Sequence, residues 1–249
     1  MKLEEKLKNK YLYSKKFNFF KFLYFFYQLL KSKKILKNKV FYSNWGVDMM
    51  ADDFFKKKNN GIYIDVGCHQ PLLNNNTYRL YKRGWTGINI DLDFNTVELF
   101  NFFRKKDLNV QAAVSDTIQE KNLYFFHNRS AVNTLSKETG SKCKEIRKIK
   151  TTTLNHIIEN SKFRDSKIDY ISIDVEGHEL NVLSGLDFKK YQPKLVVLEF
   201  INPHIKEFYE QKIYSILDSD INKFMENENY RLVNWIHDDL VYISNKISI

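Results

Sequence analysis

Acidic residues close or follow several segments whose apolar pattern predicts buried β-strands. Asp65, Asp91, Asp174 and Glu199 lie at predicted strand ends, and Asp116 lies just past a further strand. The carboxyl ends of parallel strands meet in one crevice of a doubly wound sheet, so these carboxylates are expected to converge there. A carboxylate after the second strand is placed to accept hydrogen bonds from ribose hydroxyls, which predicts a cofactor contact for Asp91.

The loop after the first of these strands disfavours phosphate binding. Residues 67–71 read GCHQP, and neither GxGxxG nor GxxxxGK[ST] occurs in the chain. Pro71 has no backbone N–H, whereas the pyrophosphate of a dinucleotide needs such donors at a helix start. A cofactor with a ribose and a cationic centre but no phosphate fits better, and S-adenosylmethionine is such a cofactor.

Alternating strand-like and helix-like segments predict an α/β domain that positions these residues. Strands are predicted at 61–67, 87–91, 108–114, 122–126, 147–151, 168–174, 193–200, 230–236 and 240–244. Helices are predicted at 47–55, 77–83, 94–106, from 152 or 153 to 160, at 179–184 and at 205–227. A mostly parallel sheet with helices on both faces and a C-terminal antiparallel hairpin is typical of the Rossmann-like, class I methyltransferase fold.

Charge divides the chain into two predicted parts, a basic aromatic extension at 1–40 and a catalytic domain at 41–249. The formal net charge of the chain is +10, and residues 1–40 hold twelve lysines and two glutamates, which account for all of it. The net charge of residues 41–249 is therefore zero. A neutral catalytic domain argues against nucleic acid as a partner. The two cysteines exclude a disulfide framework and favour a reducing compartment, which predicts a cytoplasmic location.

The N-terminal extension contains an aromatic, lysine-flanked segment at 17–34. Its apolar core, FNFFKFLYFFYQLL, is fourteen residues long, shorter than the ~20 that a bilayer-spanning helix needs. Peripheral contact with the inner face of a membrane is one expectation, because lysines favour anionic headgroups. A helix that packs on the domain or binds a partner is the alternative.

Several motifs, in this order and spacing, resemble the FkbM family of S-adenosylmethionine-dependent methyltransferases. They are DVGCHQP, NNTYRLYKRGWTGINID, AVSD, YISIDVEGHELNVLSGLDF and PKLVVLEF, within residues 41–200. The resemblance implies a class I fold and methyl transfer, usually to oxygen, on sugars, glycans, polyketides or similar small hydroxylated acceptors.

The resemblance also implies which residues bind the cofactor. His69 and Pro71 stand where many methyltransferases have glycines, and Asp93 stands where relatives often have proline, which leaves the role of Asp93 open. The predicted cofactor-binding residues are Asp65, Gly67, Cys68, His69, Asp91, Leu92, Ser115, Asp116 and Asp174.

The catalytic residues are expected in the IDVEGH block, which the resemblance places opposite the methyl group and the acceptor. His178 is the predicted general base, because an imidazole titrates near neutrality, and His69 is the competing base. Asp174 or Glu176 would orient His178 or bind the acceptor. These residues and Glu199 could also hold a divalent metal ion, but the set equally suits substrate hydroxyls, and we predict no metal.

The sequence therefore predicts an S-adenosylmethionine-dependent methyltransferase. The expected reaction is O-methylation of a sugar, a glycan or another small hydroxylated acceptor. One alternative is a catalytically silent interaction module that keeps the fold. A nucleotide-dependent oxidoreductase is another, but the missing glycine fingerprint and the terminal hairpin count against it. A packing role is expected for Trp45 rather than a place in the site.

Overall fold

The computed structural model describes residues 18–31, 41–127, 130–201 and 207–247 of the chain. The chain divides into two compact units, residues 1–41 and 42–249. In the first unit, helix α1 spans Asn18–Lys31, while Phe17 and residues 32–34 of the predicted aromatic segment lie outside the described residues. Among the described helices, none has the length and apolar character that a membrane crossing requires.

The second unit is built on a seven-stranded sheet. Its strands are β1 (Ile62–Val66), β2 (Thr86–Asp91), β3 (Leu108–Gln111), β7 (Tyr170–Ile173), β8 (Leu195–Glu199), β9 (Tyr230–Ile236) and β10 (Asp239–Ser244). The strand order is β3-β2-β1-β7-β8-β10-β9. The five strands from β3 to β8 pair in parallel, and β10 pairs antiparallel with both β8 and β9. This mostly parallel sheet with a reversed C-terminal hairpin is the predicted class I methyltransferase fold.

Helices cover both faces of the sheet. They are α2 (Val47–Phe54), α3 (Tyr78–Lys82), α4 (Phe94–Phe103), α5 (Leu154–Glu159), α6 (Glu179–Ser184), α7 (Phe188–Tyr191), α8 (Ile213–Leu217) and α9 (Asp220–Asn227). Successive strand residues point to opposite faces, so Tyr63 packs in a cluster with α2 and α3, while Ile64 packs in a second cluster with α5 and α6. Because both faces are covered, the central strands are continuous apolar runs rather than alternating ones.

A smaller three-stranded sheet departs from the predicted single strand at 108–114. The chain leaves the main sheet after Gln111, and Ala113–Val114 forms β4, which pairs in parallel with β6 (Glu145–Thr152). Strand β5 (Glu120–Phe125) pairs antiparallel with β6. The predicted strand is therefore wrong as one element, because the backbone pairing switches partner at Ala112, whose N–H still donates to the Asp91 carbonyl at 3.0 Å.

The predicted helix at 205–227 is also not continuous. A 3-10 turn at Phe208–Glu210 precedes α8 and α9, and residues 205 and 206 lie outside the described residues. The Ser219 hydroxyl accepts a hydrogen bond from the Asn222 N–H and so begins α9 as a new helix.

Candidate active site

A cavity of about 260 Å³ opens beyond the carboxyl ends of the parallel strands. It lies where the strand order reverses between β1 and β7, which is the usual ligand site of open α/β sheets. Gly67 after β1, Asp91 at the end of β2, Asp174 after β7 and Glu199 at the end of β8 all line it. The structure thus brings three of the four predicted strand-end acids, Asp91, Asp174 and Glu199, to one cavity.

Gly67 allows the loops after β1 and β7 to touch. Its φ is +76°, and a Cβ at this position would lie 1.7 Å from the carbonyl oxygen of Asp174. The Gly67 N–H donates to the Ile90 carbonyl at 2.9 Å, and the Asp174 N–H donates to the Val66 carbonyl at 2.9 Å. Only glycine combines this backbone conformation with such a close approach. Glycine at position 67 therefore allows the loops after β1 and β7 to meet at the cavity.

The Asp91 carboxylate is held at the cavity by backbone donors. Its Oδ2 accepts from the His69 N–H at 3.1 Å, and its Oδ1 accepts from the Asp93 N–H at 2.8 Å. Asp93 in turn begins α4, because its side chain accepts from the N–H groups of Asn95 and Thr96. His69 and Leu92, like Asp91, line the cavity. A ribose contact of Asp91 stays a prediction, and the structure gives Asp93 a capping role that the sequence had left open.

Asp65 and Cys68 lie away from the lining of this cavity. Asp65 is 3% exposed and accepts hydrogen bonds from Thr77 Oγ1 at 2.7 Å and Asn75 Nδ2 at 2.9 Å. Cys68 is buried, and burial raises the pKa of its thiol. Both residues line a smaller neighbouring hollow, and their predicted contact with the cofactor stays a prediction.

Arg104 holds the segment after β1 through buried hydrogen bonds and was not among the predicted site residues. Its guanidinium is fully buried and donates to the Pro71 carbonyl at 2.8 Å, Asn75 Oδ1 at 2.6 Å and Tyr63 OH at 2.9 Å. In the sequence it lies near the end of the predicted helix at 94–106. The polar run Asn74-Asn75-Asn76-Thr77 after an apolar strand was the one available signal of a buried network.

Three carboxylates form a tight cluster at the cavity. One oxygen each of Asp174, Glu176 and Glu199 lies within 4.8 Å of the other two. The Glu176 N–H donates to Glu199 Oε2 at 3.2 Å, and the side chains of Glu199 and Asp174 share a hydrogen bond. The set could supply three oxygen ligands to a divalent cation. The prediction that no metal is needed stays a prediction.

Burial and mutual repulsion perturb the pKa values of this cluster. Asp174 lines the cavity and is partly exposed, but desolvation by the surrounding protein raises its pKa to about 6. Burial, and then the charge of Asp174, raises the pKa of Glu176 to about 8. The same causes raise the pKa of Glu199 far above its usual value. Near neutral pH, Glu199 therefore holds a proton that it shares with the Asp174 carboxylate.

His178 is 7% exposed and belongs to a second polar network at the edge of the cavity. Its Nε2 lies 2.9 Å from Ser115 Oγ, which donates to Asp116 Oδ1 at 2.7 Å. Lys121 Nζ donates to both Ser115 Oγ and Asp116 Oδ1 at 2.7 Å. With the Ser115 hydroxyl proton on Asp116, the neutral imidazole carries its proton on Nε2 and donates it to Ser115. Nδ1 then carries the lone pair.

Electrostatics keep this imidazole neutral. Burial, and then the positive charge of Lys121, lowers the pKa of His178 to about 4. The hydrogen bonds from Lys121 and Ser115 hold the pKa of Asp116 well below its usual range. Neither Ser115 nor Asp116 lines the cavity. Their predicted contact with the cofactor stays a prediction, while the neighbouring residues 112–114 and 130–135 supply lining residues that sequence reasoning missed.

Comparison with known proteins identifies the class to which this site belongs. A sequence profile described as the methyltransferase FkbM domain matches residues 65–232, which is more than half of the chain. The chain belongs to this family. The match confirms the predicted family and the methyltransferase class, with S-adenosylmethionine as the cofactor.

Other comparisons add little beyond the family. No curated protein matches the chain. Among solved structures, a TehB-like SAM-dependent methyltransferase from Corynebacterium glutamicum ATCC 13032 Kitasato is similar at 12% identity with a TM-score of 0.46. That alignment covers 88% of this chain and 96% of the other.

Proposed function

We propose that this methyltransferase acts on a hydroxyl oxygen of a sugar, a glycan or a similar small hydroxylated acceptor. The observation that carries the proposal is the cluster of Asp174, Glu176 and Glu199, whose carboxylate oxygens lie within 4.8 Å of one another at the cavity. A hydroxyl is a poor nucleophile until its proton is removed, and carboxylates can both accept that proton and hold neighbouring hydroxyls.

The residues of the cavity fit S-adenosylmethionine. Among the described residues that line it, none is lysine or arginine, so the carboxylates are not neutralised by a neighbouring cation within the lining. A sulfonium and an ammonium group suit such a site. Gly67 leaves the space that a Cβ would fill. When bound, the cofactor supplies an electrophilic methyl group.

The carboxylates of this chain have distinct parts in the proposed reaction. Asp174, with a pKa of about 6, is ionised at neutral pH and accepts the acceptor's hydroxyl proton as the new oxygen–carbon bond forms. Glu199 holds its own proton and fixes the Asp174 carboxylate through their hydrogen bond. Glu179 accepts from the N–H groups of Val175 at 3.1 Å and Gly177 at 3.0 Å, which holds the loop that carries Glu176.

His178 is the competing general base. Its imidazole is neutral at neutral pH, but a pKa of about 4 makes it a weaker base than Asp174. With Asp174 as the base, kcat/KM should rise with pH through an apparent pKa near 6. Asp174→Asn should lower kcat by roughly 10²–10⁴-fold, whereas His178→Gln should leave that pH profile in place. The reverse pattern would assign the base to His178.

Calorimetric titration tests the cofactor part of the proposal first. S-adenosylmethionine and S-adenosylhomocysteine should bind the full chain, NADH should not, and Asp91→Ala should weaken both interactions. Transfer of labelled methyl to glycosides, followed by NMR of the product, then tests the acceptor atom. A product methylated on nitrogen or carbon would contradict the assignment to oxygen.

We also propose that helix α1 lies on an anionic membrane surface at the cytoplasmic side. Phe19, Phe22, Phe26 and Leu30 are each more than 40% exposed, and their spacing places them along one helical face. Lysines precede and follow the helix in the sequence. Cosedimentation of the full chain with phosphatidylserine vesicles should exceed that with phosphatidylcholine vesicles and should fall on Phe22→Ser and Phe26→Ser substitution. Equal recovery with both lipids would contradict the proposal.

A further inference from the structure

A second hollow of about 90 Å³ adjoins the cavity and shares lining residues with it. Asn44, Gly67, Asn74, Asp174 and Glu199 line both. The hollow therefore opens beside the carboxylate that takes the acceptor proton in the proposed function. The inference below rests on that function, because it concerns the acceptor that would reach this carboxylate.

Trp45 forms one wall of the hollow as an aromatic platform. Its side chain is 51% exposed, and its ring stacks on the ring of His237 with centroids 3.8 Å apart and an interplanar angle of 11°. The two residues come from the segment before α2 and from the turn between β9 and β10. The exposed half of the ring is available to the apolar face of a ligand, while the indole N–H supplies a polar edge. Trp45 thus packs on His237, as expected, and also lines the hollow.

The stack is held by polar contacts on the side of His237. Nδ1 of His237 lies 2.5 Å from Asp238 Oδ2, so the imidazole that backs the indole is itself oriented. One face of the indole is thus backed by an imidazole that has its own polar contact. A rigid aromatic face of this kind contributes binding area with little loss of conformational entropy.

The rest of the hollow is polar and acidic. Amide and hydroxyl groups of Asn76 and Ser172 face it, and their side chains are joined by a 3.0 Å hydrogen bond. Asp238, in the turn before β10, and Asp239, at the start of β10, also line the hollow. Among the described residues that line the hollow, none is lysine or arginine. An anionic group would meet like charges here without a compensating cation.

We propose that the Trp45–His237 stack and the acidic hollow beside it form the acceptor subsite, which selects a sugar ring without phosphate or carboxylate substituents. The apolar face of the ring lies on Trp45, and its hydroxyls face the amides and carboxylates. The reacting hydroxyl is directed toward Asp174, which both cavities share. Uronic acids and sugar phosphates are rejected by charge at the same subsite.

Matched sugars test the subsite in the full chain loaded with S-adenosylhomocysteine. Saturation-transfer NMR compares methyl glycosides of glucose, galactose and mannose with the corresponding uronic acids and 6-phosphates. At least one neutral ring should bind, and its charged counterparts should bind at least tenfold more weakly. Binding of no neutral ring, or equal binding of a charged one, would overturn the proposal. Failure of S-adenosylhomocysteine itself to bind would instead count against the proposed function.

Substitutions test the Trp45 platform and the acidic residues of the hollow separately. Trp45→Ala should weaken binding of the neutral ring at least tenfold, with S-adenosylhomocysteine affinity within twofold of wild type, and Trp45→Phe should retain most of the affinity. Tyr214→Ala is the matched control, because Tyr214 is 72% exposed on α8, and it should change nothing. Joint Asp238→Asn and Asp239→Asn substitution should recover binding of the 6-phosphate by about tenfold. No loss of neutral-ring binding with Trp45→Ala would overturn the role of Trp45 as the platform. No recovery of 6-phosphate binding with the double variant would overturn the rejection of anionic sugars by Asp238 and Asp239.

Discussion

Replacing Gly67 with alanine tests whether close contact between two strand-end loops builds the cofactor cavity. The substitution has two separable costs. Alanine at a positive φ costs roughly 1–2 kcal/mol of unfolding free energy, and the new Cβ would lie 1.7 Å from the Asp174 carbonyl oxygen. Because non-bonded heavy atoms need about 3.5 Å, the two loops must move apart.

Gly84→Ala isolates the first cost. Gly84 has φ +96°, but a Cβ there has nothing within 4 Å, so this control should lose only the roughly 1–2 kcal/mol of backbone strain. Separation of the loops in Gly67→Ala also weakens the 2.9 Å bonds from Gly67 to Ile90 and from Asp174 to Val66. At about 1 kcal/mol each, the total loss is roughly 3–4 kcal/mol.

Urea denaturation followed by circular dichroism measures this difference, and calorimetry measures the cofactor. Gly67→Ala should lower the unfolding free energy about 2 kcal/mol more than Gly84→Ala, and its S-adenosylmethionine Kd should rise at least tenfold. Gly84→Ala should bind the cofactor like wild type. Equal losses of stability in the two variants, with cofactor affinity intact in both, would refute the contact between Gly67 and Asp174 as the reason for glycine.

Three further predictions concern stability and metal dependence. Arg104→Met should cost about 3–5 kcal/mol in urea denaturation, because it leaves buried acceptors unpaired, whereas exposed Arg164→Met should stay within about 0.5 kcal/mol; equal effects would contradict the network. His178 has a folded pKa of about 4 against an ordinary 6.5, so between these values only the unfolded state takes up the proton and stability falls as pH falls. His178→Gln should remove up to about 3 kcal/mol of that pH-dependent loss, and an unchanged slope would refute the buried neutral imidazole. EDTA should leave methyl transfer unchanged, and loss of activity restored by Mg²⁺ would assign a metal to the Asp174 cluster.

Local pattern was sufficient to predict the central sheet. Apolar runs ending in an acid marked β1, β2, β7 and β8, and the C-terminal hairpin distinguished the fold from a dinucleotide-binding sheet. These features are periodic and short-range, so they can be read without knowing what packs where. The pairing switch at Ala112 could not be read in this way, because it depends on β6, nearly forty residues further along the chain.

The site was predictable in position but not in its internal contacts. Asp91, Asp174 and His178 all line the cavity, as their places after strands suggested. Their partners are remote in sequence: Ser115 contacts His178 across 63 residues, and Arg104 contacts Asn75 across 29. A surface-like residue type such as arginine gives no local sign that its guanidinium is fully buried. The proposed base shifts from His178 to Asp174 because burial and Lys121 lower the pKa of His178, and neither cause can be read from local sequence.

The choice of cofactor follows from electrostatics rather than from the fold. A Rossmann-like sheet can bind either a dinucleotide or S-adenosylmethionine in the crevice beyond its strands. Here the loop after β1 contains Pro71, which has no N–H, and the Gln70 N–H donates to the Cys68 carbonyl at 2.5 Å. No lysine or arginine is found among the described lining residues, while three carboxylates meet beside Gly67. A pyrophosphate would be repelled by these carboxylates and would find no backbone N–H donors in the loop. The sulfonium and ammonium groups of S-adenosylmethionine are instead attracted to them. The same acids therefore favour S-adenosylmethionine and disfavour a dinucleotide.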